Sequence, residues 1–336
     1  MKIRNAICQI ALHLRRRPDQ AHQAIGEAKM NYEDTLLSLL NEDERFMVLT
    51  AENRAAIRHL PEKLKDRFID TGITEQAMVG MAAGLALCGR IPITHALAAF
   101  LTMRAFEFVR TDVGIASLPV KLVGGVPGFL SDGNGPTHQA LEDVALMRGI
   151  PAMGIFCPAD EQDMVLGLPA ILRSERPFYI RYNHLPPVIE HQPHFEIGKA
   201  EQVTNGEEIS ILVYGTLFAQ AYEAQRLLAA EGISVRLLNL RTVKPLDETA
   251  VWKAICETKL LVTVEDHFRT GGLFSIVSEL LVSREWSASV LPIALENRWF
   301  TPALLPNVLH HEGFTGPQIA ERILEKWSFM ARRWYE

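Results

Sequence analysis

Twice along this 336-residue chain, short apolar runs alternate with longer segments of helical period, and no other feature restricts the fold as much. Between residues 46 and 182 the runs RFMVL, IPITH, LPVKLVGG, PAMGIF and PFYIRY read as strands. Helices fall between them at 74–88 and over AFLTMRAFEFVRTD, THQALEDVALMRG and ADEQDMVLGLPAILRS. Strand, helix, strand in series is the βαβ unit, which builds a mostly parallel sheet covered by helices on both faces. A proline-rich stretch without period, NHLPPVIEHQPHFEIGKAEQVTNGEE, interrupts the series. Beyond it the alternation resumes with the strands ISILVYG, SVRLLNL and KLLVTVED and the helices TLFAQAYEAQRLLAAEG, DETAVWKAICET and GLFSIVSELLV. The expected fold is α/β, with two domains that are each a mostly parallel sheet with flanking helices. These occupy residues 31–185 and 207–336, joined by a linker over 186–206, and residues 1–30 are expected to form a peripheral helix and extension.

Composition narrows the function. Forty acidic against 34 basic residues offer no basic face for a phosphate backbone, so nucleic acid is not an expected partner. Cys8, Cys88, Cys157 and Cys256 stand far apart with no CxxC pair, which fits a reducing cytoplasm better than a disulfide or zinc framework. The longest apolar run, Ala77 to Cys88, has twelve residues, two of them glycine, and is too short to span a membrane. The Arg15-Arg16-Arg17 cluster follows the N-terminal apolar patch instead of preceding it, so no signal peptide is expected.

In RFIDTGITEQAMVGMAAGLALCG, one carboxylate, Glu75, heads a run of small and apolar residues. The first turn of a helix favours an anion, and on position alone a structural helix-start glutamate is the plainer reading. Gly80 and Gly84, four apart among alanines, give that helix a face that another backbone can approach, as at an interface. A carboxylate at the mouth of such a helix is placed for proton exchange, because burial strengthens a carboxylate's hold on its proton.

Three stretches then carry a resemblance. RFIDTGITEQAMVGMAAGLALCGRIPI, GPTHQALEDVALMRGIPAMGIFCPAD, and VKPLD with TVEDHFRTGGLFSIVSELL have the order and spacing of the C-terminal half of transketolases, a family of thiamine-diphosphate enzymes. The resemblance covers nearly the whole chain and implies a pyrimidine-binding domain followed by a transketolase C-terminal domain. In that family the glutamate of the GI-x-EQ motif, matched by Glu75, hydrogen-bonds N1′ of the cofactor's aminopyrimidine. Protonation there favours the 4′-imino form, whose nitrogen removes the thiazolium C2 proton. The Gly-Asp-Gly signature that accompanies the family's Mg²⁺ and diphosphate site is absent from this chain. The resemblance therefore implies the second subunit of a split transketolase, inactive alone. A separate subunit would carry the diphosphate and Mg²⁺, in a heterotetramer with two copies of each.

Other positions follow the family or depart from it. Phe100 matches one aromatic of the aminopyrimidine wall, Leu97 replaces a ring-stacking phenylalanine, and Glu52 matches an acidic residue near the cofactor. His138, in GPTHQ, matches a histidine that exchanges protons with substrate oxygens, work suited to imidazole. Sugar recognition changes most. The family's HDSIG reads VPGFL here, Asn134 replaces the aspartate of DGPTH with Asp132 nearby, and His184 replaces a phosphate-clamping arginine. Imidazole cannot make the permanent bidentate contact of a guanidinium, so the expected substrate lacks a terminal phosphate or carries another group. His95 is a candidate substrate contact or a core histidine, and Arg181 a strand residue or a substitute clamp. The set His184, His191, His194 is read as structural and not as a metal site, and Glu265, Asp266 and His267 as structural or interfacial. The altered sugar contacts leave open a decarboxylating, acyl-transferring subunit like the β subunits of 2-oxo acid dehydrogenases. Leu97 and the missing histidine leave open a non-catalytic partner subunit.

Overall fold

The computed structural model describes residues 31–334, and the peripheral helix expected over 1–30 lies outside the described residues. Six strands of the first half, β1 (Phe46–Thr50), β2 (Phe68–Asp70), β3 (Ile91–Leu97), β4 (Lys121–Gly125), β5 (Gly154–Phe156) and β6 (Phe178–Arg181), pair in parallel in the order β5-β6-β4-β3-β1-β2. Every residue of β1 is buried, as expected of a parallel strand covered on both faces. One face packs on α1 (Tyr32–Glu42) and α4 (Glu161–Arg173), where Tyr32, Leu36, Met164 and Leu168 meet Phe46, Val48 and Ile93. The other face packs on α2 (Glu75–Leu87), where Met78, Val79 and Ala82 meet Met47, Leu49 and Ala96. This second core runs on into the other half of the chain through Leu212, Tyr214 and Leu238.

The second half forms a five-stranded sheet from β7 (Glu201–Thr204), β8 (Ile209–Val213), β9 (Val235–Asn239), β11 (Leu260–Phe268) and β12 (Val290–Leu295), in the order β12-β11-β8-β9-β7. Only β7 runs antiparallel to its neighbour in this sheet. The short strand β10 (Thr242–Lys244) leaves this half and joins β5 of the first sheet, antiparallel.

Several segments differ from the reading of the sequence, β2, β10 and β12 among them, which it does not name as strands. The helix expected over 137–149 starts at Asp143 as α3 (Asp143–Arg148), because residues 137–142 belong to a loop held from outside its own element. The helix expected through AFLTMRAFEFVRTD is interrupted by two π turns, Phe100–Arg104 and Val109–Gly114, a local widening common near functional sites. The stretch read as linker contains β7, whose pairing with β9 gives it an extended conformation that its own composition does not call for.

Candidate active site

Glu75 is the first residue of α2 and is 2% exposed, although Thr74 ahead of it offers no side-chain cap. Its counter-charge comes from Arg104, whose Nη1 donates to Glu75 Oε2 at 2.9 Å while the arginine remains 40% exposed. Arg104 lies 4.0 Å over the ring of Phe100, four residues earlier, and the Phe100 ring meets the His138 ring edge-on at 4.9 Å between centroids. One chain of contacts thus joins Glu75, Arg104, Phe100 and His138, three of them anticipated from the sequence. Arg104 was not anticipated; its i, i+4 spacing from Phe100 in the wall segment was the available signal.

Glu52, Asp70 and Leu97 stand at or just past the carboxyl ends of β1, β2 and β3. Glu52 follows β1, is exposed and has φ +56°, a left-handed conformation that is uncommon outside glycine. Asp70, ending β2, accepts from Glu52 N at 3.3 Å, Gly72 N at 3.0 Å and Arg54 Nε at 2.8 Å, which ties the two loops together ahead of Glu75. Leu97 ends β3 and is partly exposed. The crevice beyond the carboxyl ends of parallel strands is where α/β sheets hold ligands.

His138 sits in the loop between β4 and α3. Its carbonyl accepts from Ser131 Oγ at 2.6 Å, and its Nδ1 lies 2.9 Å from Thr137 Oγ1. Asn134, in the same loop, is exposed. Asp132 is not free: Oδ1 accepts from Gly133 N at 2.6 Å and Oδ2 from Leu305 N at 2.9 Å.

His95 and His184 are gathered elsewhere. His95 is buried, with Nε2 2.8 Å from the Tyr32 hydroxyl on the α1 side of the sheet, opposite the side that α2 covers. Burial pushes its pKa down to about 3, so the ring is neutral, and its Nδ1 has no partner among the described residues. Tyr32 packs edge-on against Tyr182, and exposed His184 stacks on Tyr182. Burial and the nearby Glu161 and Glu33 carboxylates push the Tyr182 phenol up to about 12.

The residues read as structural are built into the seam between the halves. Arg181, 2% exposed, donates through Nε to Asp143 Oδ2 at 2.9 Å and through Nη1 to Asp266 Oδ1 at 2.7 Å. Glu265 accepts from Leu273 N at 2.6 Å and Phe274 N at 3.0 Å, which caps α5 (Leu273–Ser283), and burial pushes its pKa up to about 8. His191 lies 2.7 Å from Glu201 and 2.8 Å from Asp160. Asp163, His191 and Glu201 converge closely enough to bind a metal, but Arg241 already pairs with Asp163 at 2.7 Å and with Glu201 at 3.1 Å. A cation there would have to displace a guanidinium. His184 and the exposed His194 do not join His191.

A search of protein families matches residues 27–185 to the transketolase pyrimidine-binding domain and 198–319 to the transketolase C-terminal domain. A 6-deoxy-6-sulfo-D-fructose transketolase subunit from Clostridium sp. (strain MSTE9) is 39% identical over 254 residues, covering 74% of this chain and 79% of that one. An apulose-4-phosphate transketolase subunit from Phocaeicola vulgatus is 32% identical, covering 80% and 88%. Among solved structures, a split-gene transketolase described as an inactive β4 tetramer superposes with TM-score 0.80 at 31% identity, over 88% of this chain and 97% of that one. No helix among the described residues is long and apolar enough to cross a membrane. The chain belongs to the transketolase family, as a C-terminal-type subunit of the split kind.

Proposed function

We propose that this chain is the pyrimidine-binding subunit of a two-component, thiamine-diphosphate-dependent transferase that moves a two-carbon ketol unit from a ketose-like donor to an aldehyde acceptor. The observation that carries this reading is Glu75: a buried carboxylate at a helix start, with one side-chain donor, linked through Arg104 and Phe100 to His138. These groups fit an aminopyrimidine, which needs a hydrogen bond at a ring nitrogen and apolar contact on its faces. Bound thiamine diphosphate supplies a thiazolium carbon that becomes nucleophilic on losing its proton. Glu75 would hold a proton at pyrimidine N1′. Phe100 and Leu97 would wall the ring and exclude water, and Glu52 would add an acidic contact at the rim. His138 would exchange protons with the substrate oxygens.

The diphosphate and Mg²⁺ need hard oxygen donors, which the described residues do not gather in a free set. Among the described residues the single convergent group, Asp163, His191 and Glu201, is committed to Arg241. We assign that end of the cofactor to a separate subunit, in a cytoplasmic heterotetramer with two copies of each chain. A surface for this partner flanks Glu75: Ile73 and Met81 are 68% and 44% exposed, Ile115 is 71% exposed, and a Cβ at Gly84 would meet nothing. Among the described residues the glycine face of α2 is approached at Gly80, where a Cβ would lie 3.8 Å from Asp112 Oδ2, and left open at Gly84. For the substrate, the Glu33 and Glu161 carboxylates near Tyr182, on which His184 stacks, disfavour a dianion. Asn134 would meet a donor hydroxyl, whereas His95, buried against Tyr32 on the other face of the sheet, fits a core histidine better than a substrate contact.

The test is turnover of a panel of ketose donors by the reconstituted pair. Activity with a donor bearing no terminal phosphate, abolished by Glu75→Gln, supports the reading. Rates on xylulose 5-phosphate equal to those of a standard transketolase would remove the substrate argument.

A further inference from the structure

The loop that carries His138 is held mainly by the other domain. At its start, Phe129 N donates to Asp266 Oδ2 at 3.4 Å, and the Phe129 ring packs edge-on against Phe300 and Phe314, with centroids 5.3 and 4.9 Å away. In its middle, the Asp132 carbonyl accepts from Ala303 N at 3.1 Å, while Asp132 Oδ2 accepts from Leu305 N at 2.9 Å. Leu305 opens α6 (Leu305–Glu312), and the residue before that helix, Leu304, has no side chain that caps it. Asp132 therefore supplies the cap from 173 residues away. Directly after His138, the fully buried Gln139 donates through Nε2 to Phe300 O at 3.0 Å. Every one of these anchors comes from residues 266–314. Within its own half the loop is pinned by Gly128 N on Ala140 O at 3.0 Å and by Ser131 Oγ on the His138 carbonyl.

We infer that the C-terminal domain sets the position of His138 through this strap, with Asp132 and Gln139 as its positioning residues. The inference rests on the reading that His138 touches substrate. It gives the second domain a task in the reaction although none of its side chains belongs to the cluster around Glu75. It also fits the late start of α3, because the Ala140 and Leu141 carbonyls accept from Gly128 N and Phe268 N instead of from helical donors.

The strap can be cut from either side. Asp132→Ala removes both acceptors, Asp132→Asn keeps one oxygen for Leu305 N while giving up the local bond from Gly133 N, and Leu305→Pro removes the donor at the first helical position, where proline is suited. Leu304 has ψ 144°, which suits a residue before proline. In the two-subunit enzyme, Asp132→Ala and Leu305→Pro are expected to lower kcat about tenfold with KM within about twofold, and Asp132→Asn to retain most activity. In this chain alone, the ring resonances of His138 in histidine-labelled NMR spectra should move in the first two variants and not in the third. Unmoved resonances and unchanged kcat in folded Asp132→Ala and Leu305→Pro would overturn the inference, as would equal loss in all three. If Asp132→Ala fails to fold, Leu305→Pro decides. If the wild-type pair shows no turnover, the proposed function fails, while the resonances still decide the strap.

Discussion

Glu75 and Glu265 are both buried carboxylates at the N-terminal end of a helix, and the chain treats them in opposite ways. Glu265 receives two backbone N–H groups, those of Leu273 and Phe274, and lies 3.4 Å from the Tyr214 hydroxyl, all supplied from within the fold. Among the described residues Glu75 receives one side-chain donor, from an arginine that is itself 40% exposed, and the outward side of its helix shows Met81 and Gly84 to solvent. A saturated carboxylate is a piece of structure. We read an undersupplied one beside exposed apolar surface as arranged for a further donor and a further chain to arrive. The same contrast separates Arg181, closed off between Asp143 and Asp266, from Arg104, which reaches into the site from the rim.

That contrast can be broken in four places. The largest effect is expected from Glu75→Gln, which should lower turnover of the two-subunit enzyme on the order of a thousandfold while urea denaturation of this chain shifts by less than about 1 kcal/mol. Comparable losses of stability and activity would place Glu75 with Glu265 as a structural cap. Next, Arg181→Leu leaves Asp143 and Asp266 facing each other without a cation and should cost about 3–5 kcal/mol by equilibrium denaturation. A loss under about 1 kcal/mol would show that the seam is not held by charge.

A smaller effect has a sign set by pH. The folded-state pKa of Glu265, about 8, lies above its ordinary value. Its contribution to stability is therefore full below about pH 4.5 and is lost as pH rises through 8, at no more than about 1.4 kcal/mol per pH unit. Glu265→Gln keeps one of the two oxygens that accept from Leu273 N and Phe274 N, so it should be less stable than the wild type in acid and lose that deficit as pH rises toward 8. Parallel stability curves for the two proteins would contradict the raised pKa. The smallest effect on the chain itself belongs to Met81→Asp, expected to change its stability by under about 0.5 kcal/mol while weakening association with the partner subunit about tenfold or more. Unchanged association would move the partner surface off α2.

What was legible in the sequence follows the range of the interactions involved. β1, β3, α2 and α4 announce themselves through local period and composition, and Glu75 and His138 through short motifs. Arg104, 29 residues from Glu75, and Leu305, 173 residues from Asp132, carry no local mark of their pairing. Asp132 reads as a substrate contact because its loop neighbours do, yet the helix it caps is formed far along the chain. β10 was missed because three residues show no period, and they become a strand only when β5 offers an edge. The late start of α3 has the same origin, since residues 137–142 have helical composition but anchors elsewhere.

The central claim is that Glu75 belongs to a cofactor site completed by a second subunit. Calorimetric titration of thiamine diphosphate with Mg²⁺ into this chain, the partner, their mixture, and the mixture carrying Glu75→Gln tests it most directly. The account predicts tight binding in the mixture alone, weakened by the substitution. Equally tight binding to this chain by itself, or binding in the mixture that is indifferent to Glu75→Gln, would contradict it.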